Sequence, residues 1–323
     1  MLRRTFTALA LAALTGTSAM AQTYPDRHVT LIMPYSAGGP GDTLSRIVGQ
    51  GLTKVLGRQV IIENAAGAGG TIGSAKVVGA KPDGYTLLMN HISHATNPAL
   101  YRNLRYNTQA DFEPIGLVAE LPMAFVAKKD FPAGNFAEFL AYVKANKDKL
   151  NYGHAGVGSA SHLCGLLLFS ALQTPITTVP YKGSGPAMND LMGGQIDFMC
   201  DQTLNVVSPI KAGQIKPYAI TSPTRAEILP DLPTAAEAGL PGFEVNIWYA
   251  MFAPRGTPKP VVDRLVSALN EALKDPEVRT KLADLGAVPV GPDRANPEAL
   301  RAHVKAEIER WGPVIKAAGV YAE

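Results

Sequence analysis

Apolar positions in this chain alternate between short unbroken runs and spaced stripes. Residues 29–33 (VTLIM) form a run that stops at Pro34, and after Gly38, Gly39 and Gly41 a stripe at Leu44, Ile47, Val48, Leu52 and Val55 keeps helical spacing. That pattern predicts a strand, a tight loop and a helix. The unit recurs as a strand over 60–63, a loop over 64–70 and a helix through about residue 78. A third strand over 85–89 exits into a loop carrying Asn90, His91, Ser93, His94 and Asn97. Gly67, Gly69, Gly70 and Gly73 imitate a dinucleotide fingerprint, but the spacing is wrong and no acid stands about 20 residues on to hold a ribose. Three such units in a row predict an α/β fold with a parallel sheet whose strand C-terminal ends form one functional edge.

Two apolar runs, 115–119 and 123–127, then flank Leu121-Pro122, which reads as a crossing into a second domain. Beyond it the pattern predicts a helix over 136–147, a strand over 150–153 and a second glycine-serine loop, HAGVGSASHL, ahead of an apolar helix over 163–172. Strands over 177–180, 196–200 and 216–220, a helix over 186–192 and a long return strand over 243–252 follow. Amphipathic helices over 258–273, 276–285 and 297–318 complete the chain.

At the start, Arg3 and Arg4 precede an apolar run over 6–14, and Ala19-Met20-Ala21 places small residues where a signal peptidase reads. Residues 1–21 therefore read as a cleavable export signal, too short to span a bilayer, leaving Gln22 first. Arg3-Arg4-Thr5-Phe6 also resembles a twin-arginine signal, so the export route stays open. Without Arg3 and Arg4 the 30 basic residues become 28 against 27 acids, a net charge near +1 that advertises neither nucleic acid nor a membrane surface. Cys164 and Cys200 are the only cysteines. In an oxidising compartment they form either a disulfide or two buried thiols, and sequence gives no distance between them.

The chemistry concentrates in the loops. Glycines at 38, 39 and 41 let the backbone approach a ligand, and the following helix start offers unpaired amides and a positive dipole end, which suits an anion. No Gly-Lys-Ser/Thr follows, so a small carboxylate fits better than a phosphate; the alternative is a plain glycine turn with Asp42 as N-cap. No zinc motif, paired-cysteine spacing or nucleophile elbow is present. Ser159, Ser161 and His162 stand too close in sequence to face one another for proton transfer. His91, His94, His154 and His162 sit on strand exits without metal-ligand spacing, and hydrogen bonding to a carboxylate explains them better than a metal. Asp201 either caps the next helix or faces the cleft, where it would pair with a ligand amine. Trp248 and Tyr249 read equally as a cleft wall or as core.

PYSAGGPGD at 34–42, NPALY at 97–101, SHL at 161–163, VPYKGSGPAMNDLMGGQID at 179–197 and LPDLPTAAEAGLPGFE at 229–244 resemble, in order along the mature chain, the Bug family of extracytoplasmic receptors of tripartite tricarboxylate transporters. The resemblance implies a two-lobed periplasmic binding protein of the type II-like, Venus-flytrap form, each lobe a central, mostly parallel sheet flanked by helices. Lobe 1 would comprise 22–122 and 247–323, and lobe 2 would comprise 123–246. By the same likeness Tyr35, Ser36, Ala37, Gly38, Gly39 and Asp42 face Gly158, Ser159, Ala160, Ser161 and His162 across a ligand carboxylate. Lys182, Gly183 and Ser184 with Asp201, Gln202 and Thr203 form rim or floor, and His94 joins the set as a hydrogen-bonding residue. The implied function is non-enzymatic: a monomeric periplasmic receptor without cofactor or metal, carrying a di-, tri- or aromatic carboxylate to integral-membrane transporter subunits. The alternatives are a sensor partner that presents the ligand to a signalling protein, and an enzyme acting on carboxylates through His94, Ser161 and His162.

Overall fold

The computed structural model describes residues 24–319, 321 and 322, so the export signal expected over 1–21 lies outside the described residues. The first half of the fold opens with β1 (Val29–Met33), α1 (Pro40–Leu56), β2 (Val60–Asn64), α2 (Thr71–Val78), β3 (Thr86–His91) and α3 (Ser93–Leu100). β1 lies between β2 and β3 and runs parallel to both. Its residues are almost wholly buried because helices cover both faces of a parallel sheet. α1 starts four residues before Leu44, the first position of its apolar stripe, with Pro40 in the first turn, where a missing N–H costs nothing. It buries Leu44, Ile47, Val48, Leu52 and Leu56.

The two runs around Leu121-Pro122 turn out to be one strand, β4 (Phe112–Lys128), 17 residues long. As far as Pro122 it pairs antiparallel with β9 (Asn246–Pro254), which in turn pairs with β3. From Met123 onward it pairs instead with β7 (Phe198–Gln202) and β8 (Ile215–Ile220). Pro122, with no N–H to give to a ladder, stands at the changeover, so it ends one pairing without breaking the strand. The second half adds α4 (Phe136–Ala145), β5 (Asn151–His154), α5 (Ala160–Leu172), β6 (Thr177–Pro180), α6 (Ser184–Met192) and α7 (Thr203–Lys211), with β5 parallel to both β6 and β7. The path β2-β1-β3-β9-β4-β7-β5-β6 thus joins two small parallel sheets through two long antiparallel strands.

The chain returns through α8 (Lys259–Ala272), α9 (Pro276–Ala283), β10 (Val288–Pro289) and α10 (Pro297–Ala318). Trp248 is core rather than cleft wall: its indole N–H donates to Glu307 of α10 at 3.0 Å, and Trp311 donates to the same carboxylate at 3.1 Å. α3 is the element the apolar pattern does not announce. Its sequence SHATNPAL has no apolar stripe and contains Pro98, yet Ser93, His94, Thr96 and Asn97 are all buried. No helix among the described residues is long and apolar enough to cross a membrane.

Cys164 of α5 and Cys200 of β7 are bonded, with Cα atoms 6.1 Å apart and a sequence separation of 36. Closing a loop of that length stabilises a fold by about 3–4 kcal/mol. The denatured, unreduced protein is therefore expected to show no free thiol, and reduction should lower the thermal midpoint by on the order of 10 °C. Two titratable thiols before reduction would contradict the pairing.

Candidate functional site

Between the two halves lies a small cavity lined by residues of both. Three helices begin on it. α1 follows Gly39, α5 follows Ser159 and α6 follows Gly183, and Gly41, Ala160, Ser161 and Ser184 from their first turns line the walls. The first amides of a helix have no intrahelical acceptor, and neither Gly39 nor Gly183 supplies a side-chain cap, so these N–H groups remain free for a guest. The convergence follows from topology: β1, β5 and β6 are parallel strands whose exits lead directly into α1, α5 and α6, so the helix starts gather at the strand C-terminal ends. Gly183 makes the approach of the two halves feasible, because its φ of 155° disfavours any side chain and a Cβ there would collide with Ser36. Gly69 does the same on the other side, where a Cβ would strike the carbonyl of Val157.

The polar side chains at the cavity are neutral hydrogen-bonding groups, and among the described residues no lysine or arginine lines it. The Tyr249 hydroxyl, from β9, donates to Gln202 Oε1 at 2.8 Å, which leaves the Gln202 amide nitrogen as a donor for the cavity. Ser161 Oγ accepts the Ala155 N–H at 2.9 Å, Ser159 Oγ accepts the His162 N–H at 3.2 Å, and the two hydroxyls lie 3.2 Å apart. One of their two hydrogens joins them, and the other is free for a ligand. His91 stacks on Tyr35 at 4.7 Å, and its Nδ1 accepts the Ser93 N–H at 3.2 Å, which places the proton on Nε2. Burial pushes this imidazole down to about 3, so it is neutral at physiological pH. Met33 and Tyr249 supply apolar surface beside these donors. Such a site offers a carboxylate many preorganised dipoles and no counter-charge.

The structure distributes the expected residues unevenly. Tyr35, Gly39, Ser159, Ala160, Ser161 and Ser184 line the cavity. Ser36, Ala37 and Gly38 shape the loop beside it, with Ser36 against Gly183 and Ala37 against Gly185. Gly158 turns away toward Asn97 and Leu100 of the opposite half. Lys182 and its neighbours border a second cavity, outside the first, which shares Tyr35 and Ala155 with it. Three expectations need correction. His94 points into the first half, where its ring stacks on Phe252 at 4.2 Å and its Nε2 bonds the Thr108 carbonyl at 2.9 Å; the histidine at the cavity is His91, the last residue of β3. His162 folds back to accept the Gly158 N–H on Nδ1 at 3.2 Å, because it holds its own loop. Thr203 donates to the Gly286 carbonyl at 3.3 Å, tying α7 to the opposite half.

Asp42 and Asp201 also lie behind the wall. Burial pushes the Asp42 carboxyl up, but hydrogen bonds from Arg46 and the Gly38 N–H outweigh it and hold the group below the ordinary carboxylate range. Its charge is thus answered by Arg46 before a ligand arrives. Asp201 caps no helix: fully buried, it accepts from Ser184 Oγ at 2.9 Å and from Asn205 Nδ2 at 2.6 Å. Met33, His91, Ala155 and Tyr249 line the cavity without standing among the expected site residues, whereas Gln202 falls within the 201–203 stretch that the family likeness puts at the rim or floor. Tyr249 reads equally as cleft wall or core in the sequence, and His91 is visible there only as a member of a strand-exit loop.

Comparison with known proteins adds a lineage to this geometry. A profile described as the tripartite tricarboxylate transporter family receptor matches residues 44–320. A UPF0065 protein of Agrobacterium vitis, from the TAR-I ttuE-ttuC′ intergenic region, is 50% identical over 296 residues, 92% of this chain and 86% of that protein. Among solved structures, the periplasmic binding protein BugD is 49% identical with a TM-score of 0.91, covering 93% of this chain and 100% of its own. MatC from Rhodopseudomonas palustris, with bound malate, is 44% identical with a TM-score of 0.87, covering 90% of this chain and 100% of its own.

The histidines make a pH prediction. Burial lowers His91 and His162 to about 3 and His94 and His154 to about 4, against an ordinary 6.5. Each ring is neutral when folded and takes a proton when unfolded below pH 6.5. The unfolded chain then binds more protons, and each ring costs up to about 1.4 kcal/mol per pH unit on acidification. Burial raises Asp201 to about 6, which works in the opposite sense below that pH and offsets one of the four. The thermal midpoint should therefore fall steadily from pH 6.5 to 5 and stay level from 7 to 8.5. A midpoint that rises on acidification would show that these rings are protonated in the folded protein.

Proposed function

Since the chain belongs to the tripartite tricarboxylate transporter family of receptors, we propose that it captures a small organic carboxylate in the periplasm and delivers it to the integral-membrane subunits of a transporter. The observation that carries this reading is the convergence of three helix starts on one cavity lined by neutral donors. A cluster of free amides, a hydroxyl hydrogen, the Gln202 amide and the His91 Nε2–H would solvate an anionic oxygen without any cationic side chain. Hydrogen bonds to a charged group contribute about 1.5–3 kcal/mol each, and more where water is excluded. Malate in the related MatC supports the ligand class, and BugD, a periplasmic binding protein, supports the compartment.

The lobes in this reading are 22–122 with 247–323, and 123–246, with residues 1–21 removed on export. The exchange of β4 partners between Pro122 and Met123 supports the first boundary, and the start of β9 at Asn246 supports the second. The Ser161 hydroxyl is engaged with Ala155 and Ser159, and His162 with Gly158, an arrangement that favours a receptor over a hydrolytic nucleophile and base.

Titration calorimetry against di-, tri- and aromatic carboxylates tests the reading. At least one acid is expected to bind and to be recovered unchanged after long incubation. Gln202→Ala should weaken that acid about 10- to 100-fold, the loss of one charge-assisted donor. Gly39→Leu should abolish binding while the protein stays folded: residue 39 has an ordinary φ of −86°, and a Cβ there meets only normal contacts with Ser36, Ser184 and Gly185. A longer side chain would wedge the starts of α1 and α6 apart. Full affinity in both variants would remove the cavity from the account.

A further inference from the structure

Among the described residues a few buried side-chain polar atoms have no hydrogen-bond partner, and two of them stand where the halves meet. Ser36 Oγ, on the loop before α1, lies against Gly183 of the second half, and Asn97 Oδ1, on α3, lies against Gly158. Each oxygen meets a glycine. A Cβ on Gly158 would come within 2.9 Å of the Asn97 oxygen, and one on Gly183 would come closer still to Ser36, so at both places only a methylene separates the chains. A methylene is at best a weak donor. The Gly158 N–H is already committed, because it donates to His162 Nδ1 at 3.2 Å. Turning the Asn97 amide over would set its oxygen against the Gly69 carbonyl, which the amide nitrogen now approaches at 3.4 Å.

Elsewhere along the seam the pairing succeeds. The hydroxyls of Tyr101, Thr96 and Thr203 each donate to a carbonyl of the opposite half, at 3.2, 3.5 and 3.3 Å, so the deficit at Ser36 and Asn97 is local to the two glycines. We propose that these two oxygens form a spring against closure: water hydrates both while the halves stand apart, and when the halves meet both lose it and gain no protein donor in exchange. A buried polar atom left in that state carries its full desolvation penalty. The empty receptor therefore rests open, and closing waits for a guest whose contacts with both walls outweigh the two lost hydrations. For that guest the inference rests on the receptor reading above; what it adds is the pair of residues that hold the empty form apart. Its consequence runs against the usual sign, because deleting either polar group strengthens binding. Apparent affinity is the intrinsic affinity scaled by the fraction of molecules in the closed form, so whatever raises that fraction tightens the ligand.

Calorimetry with malate, citrate and benzoate, one acid of each carboxylate kind, supplies the first arm of the test. Ser36→Ala is expected to bind whichever of these acids binds the unaltered protein about tenfold more tightly, the effect of removing one unpaired buried hydroxyl. Asn97→Ala also gives up the long bonds to Gly69 and Tyr106, at 3.4 and 3.5 Å, and should gain about threefold. The two gains should multiply in the double variant. The second arm needs no ligand. Dyes on Lys76→Cys and Asn189→Cys, exposed positions on α2 and α6, report the closed fraction of the empty protein by single-molecule energy transfer. Each variant should raise that fraction by the factor its affinity gains, as long as the closed form stays the minor one. Circular dichroism and thermal midpoints establish that the variants fold, and Ser36→Ala suffices if Asn97→Ala does not. Weaker binding by Ser36→Ala would make its hydroxyl a ligand contact and overturns the spring, as does unchanged affinity. Tighter binding with an unchanged closed fraction overturns it too. If none of the acids gives heat, the receptor reading loses its support, while the closed fraction of the empty protein, raised or not in Ser36→Ala, still decides the spring.

Discussion

Binding an anion with neutral donors works only where water is kept out. A backbone amide or a glutamine nitrogen gains little over bulk water when the contact is wet, and much more when the surroundings are dry and the dipoles are fixed in advance. A cavity without lysine or arginine must therefore be enclosed, and enclosure demands walls from two sides. Here one wall is the first loop and the start of α1; the other comprises the starts of α5 and α6 with the end of β7. Each wall alone is a set of helix starts open to solvent. Brought together, they form a chamber in which every amide has one direction left to point.

The sheet arrangement makes that meeting possible. A parallel strand feeding a helix places the helix start at the strand's C-terminal end, and each half of this fold contains such units. Placing two such edges opposite one another needs a connection that is stiff along the strand yet divides the sheet in two. β4 and β9 supply it as antiparallel partners, and β4 trades its neighbour at Pro122. One of them also furnishes chemistry near the crossing, because Tyr249 of β9 reaches over to Gln202 of β7. The disulfide between α5 and β7 then ties two elements of one wall to each other.

Much of this was legible in the residues. The runs of β1, β2 and β3 and the stripe of α1 carry strong periodicity, and the glycine loops mark where backbone rather than side chain does the binding. What escaped was governed by contacts distant in sequence. The apolar runs on either side of Pro122 were separable by pattern, yet ladder pairing with β9 and then β7 fuses them. α3 hides because its buried positions are polar, and polar burial shows only once the partners are known. His91 and His94 stand three residues apart; which one faces the cavity depends on β3 ending at residue 91 and on Phe252 offering a stacking partner to the other. Asp201 and Gln202 are adjacent on a strand, so alternation sends one to the cavity and the other behind it.

The polar burial of α3 has a further consequence for how the halves meet. Outside the cavity, several hydrogen bonds of modest quality join them. The Tyr101 hydroxyl donates to the Val157 carbonyl at 3.2 Å, Thr96 to Gly158 at 3.5 Å and Thr203 to Gly286 at 3.3 Å. Each has a ready substitute in water, so exchanging protein partners for solvent on opening is close to neutral. An apolar seam of the same size would hold the halves shut whether or not a guest was present, since apolar burial contributes about 25 cal/mol per Å². A ligand that touches both walls favours the arrangement that holds them together by whatever those contacts contribute. The polar residues that obscure α3 in the sequence thus supply part of the contact between the halves, Thr96 to Gly158 among it.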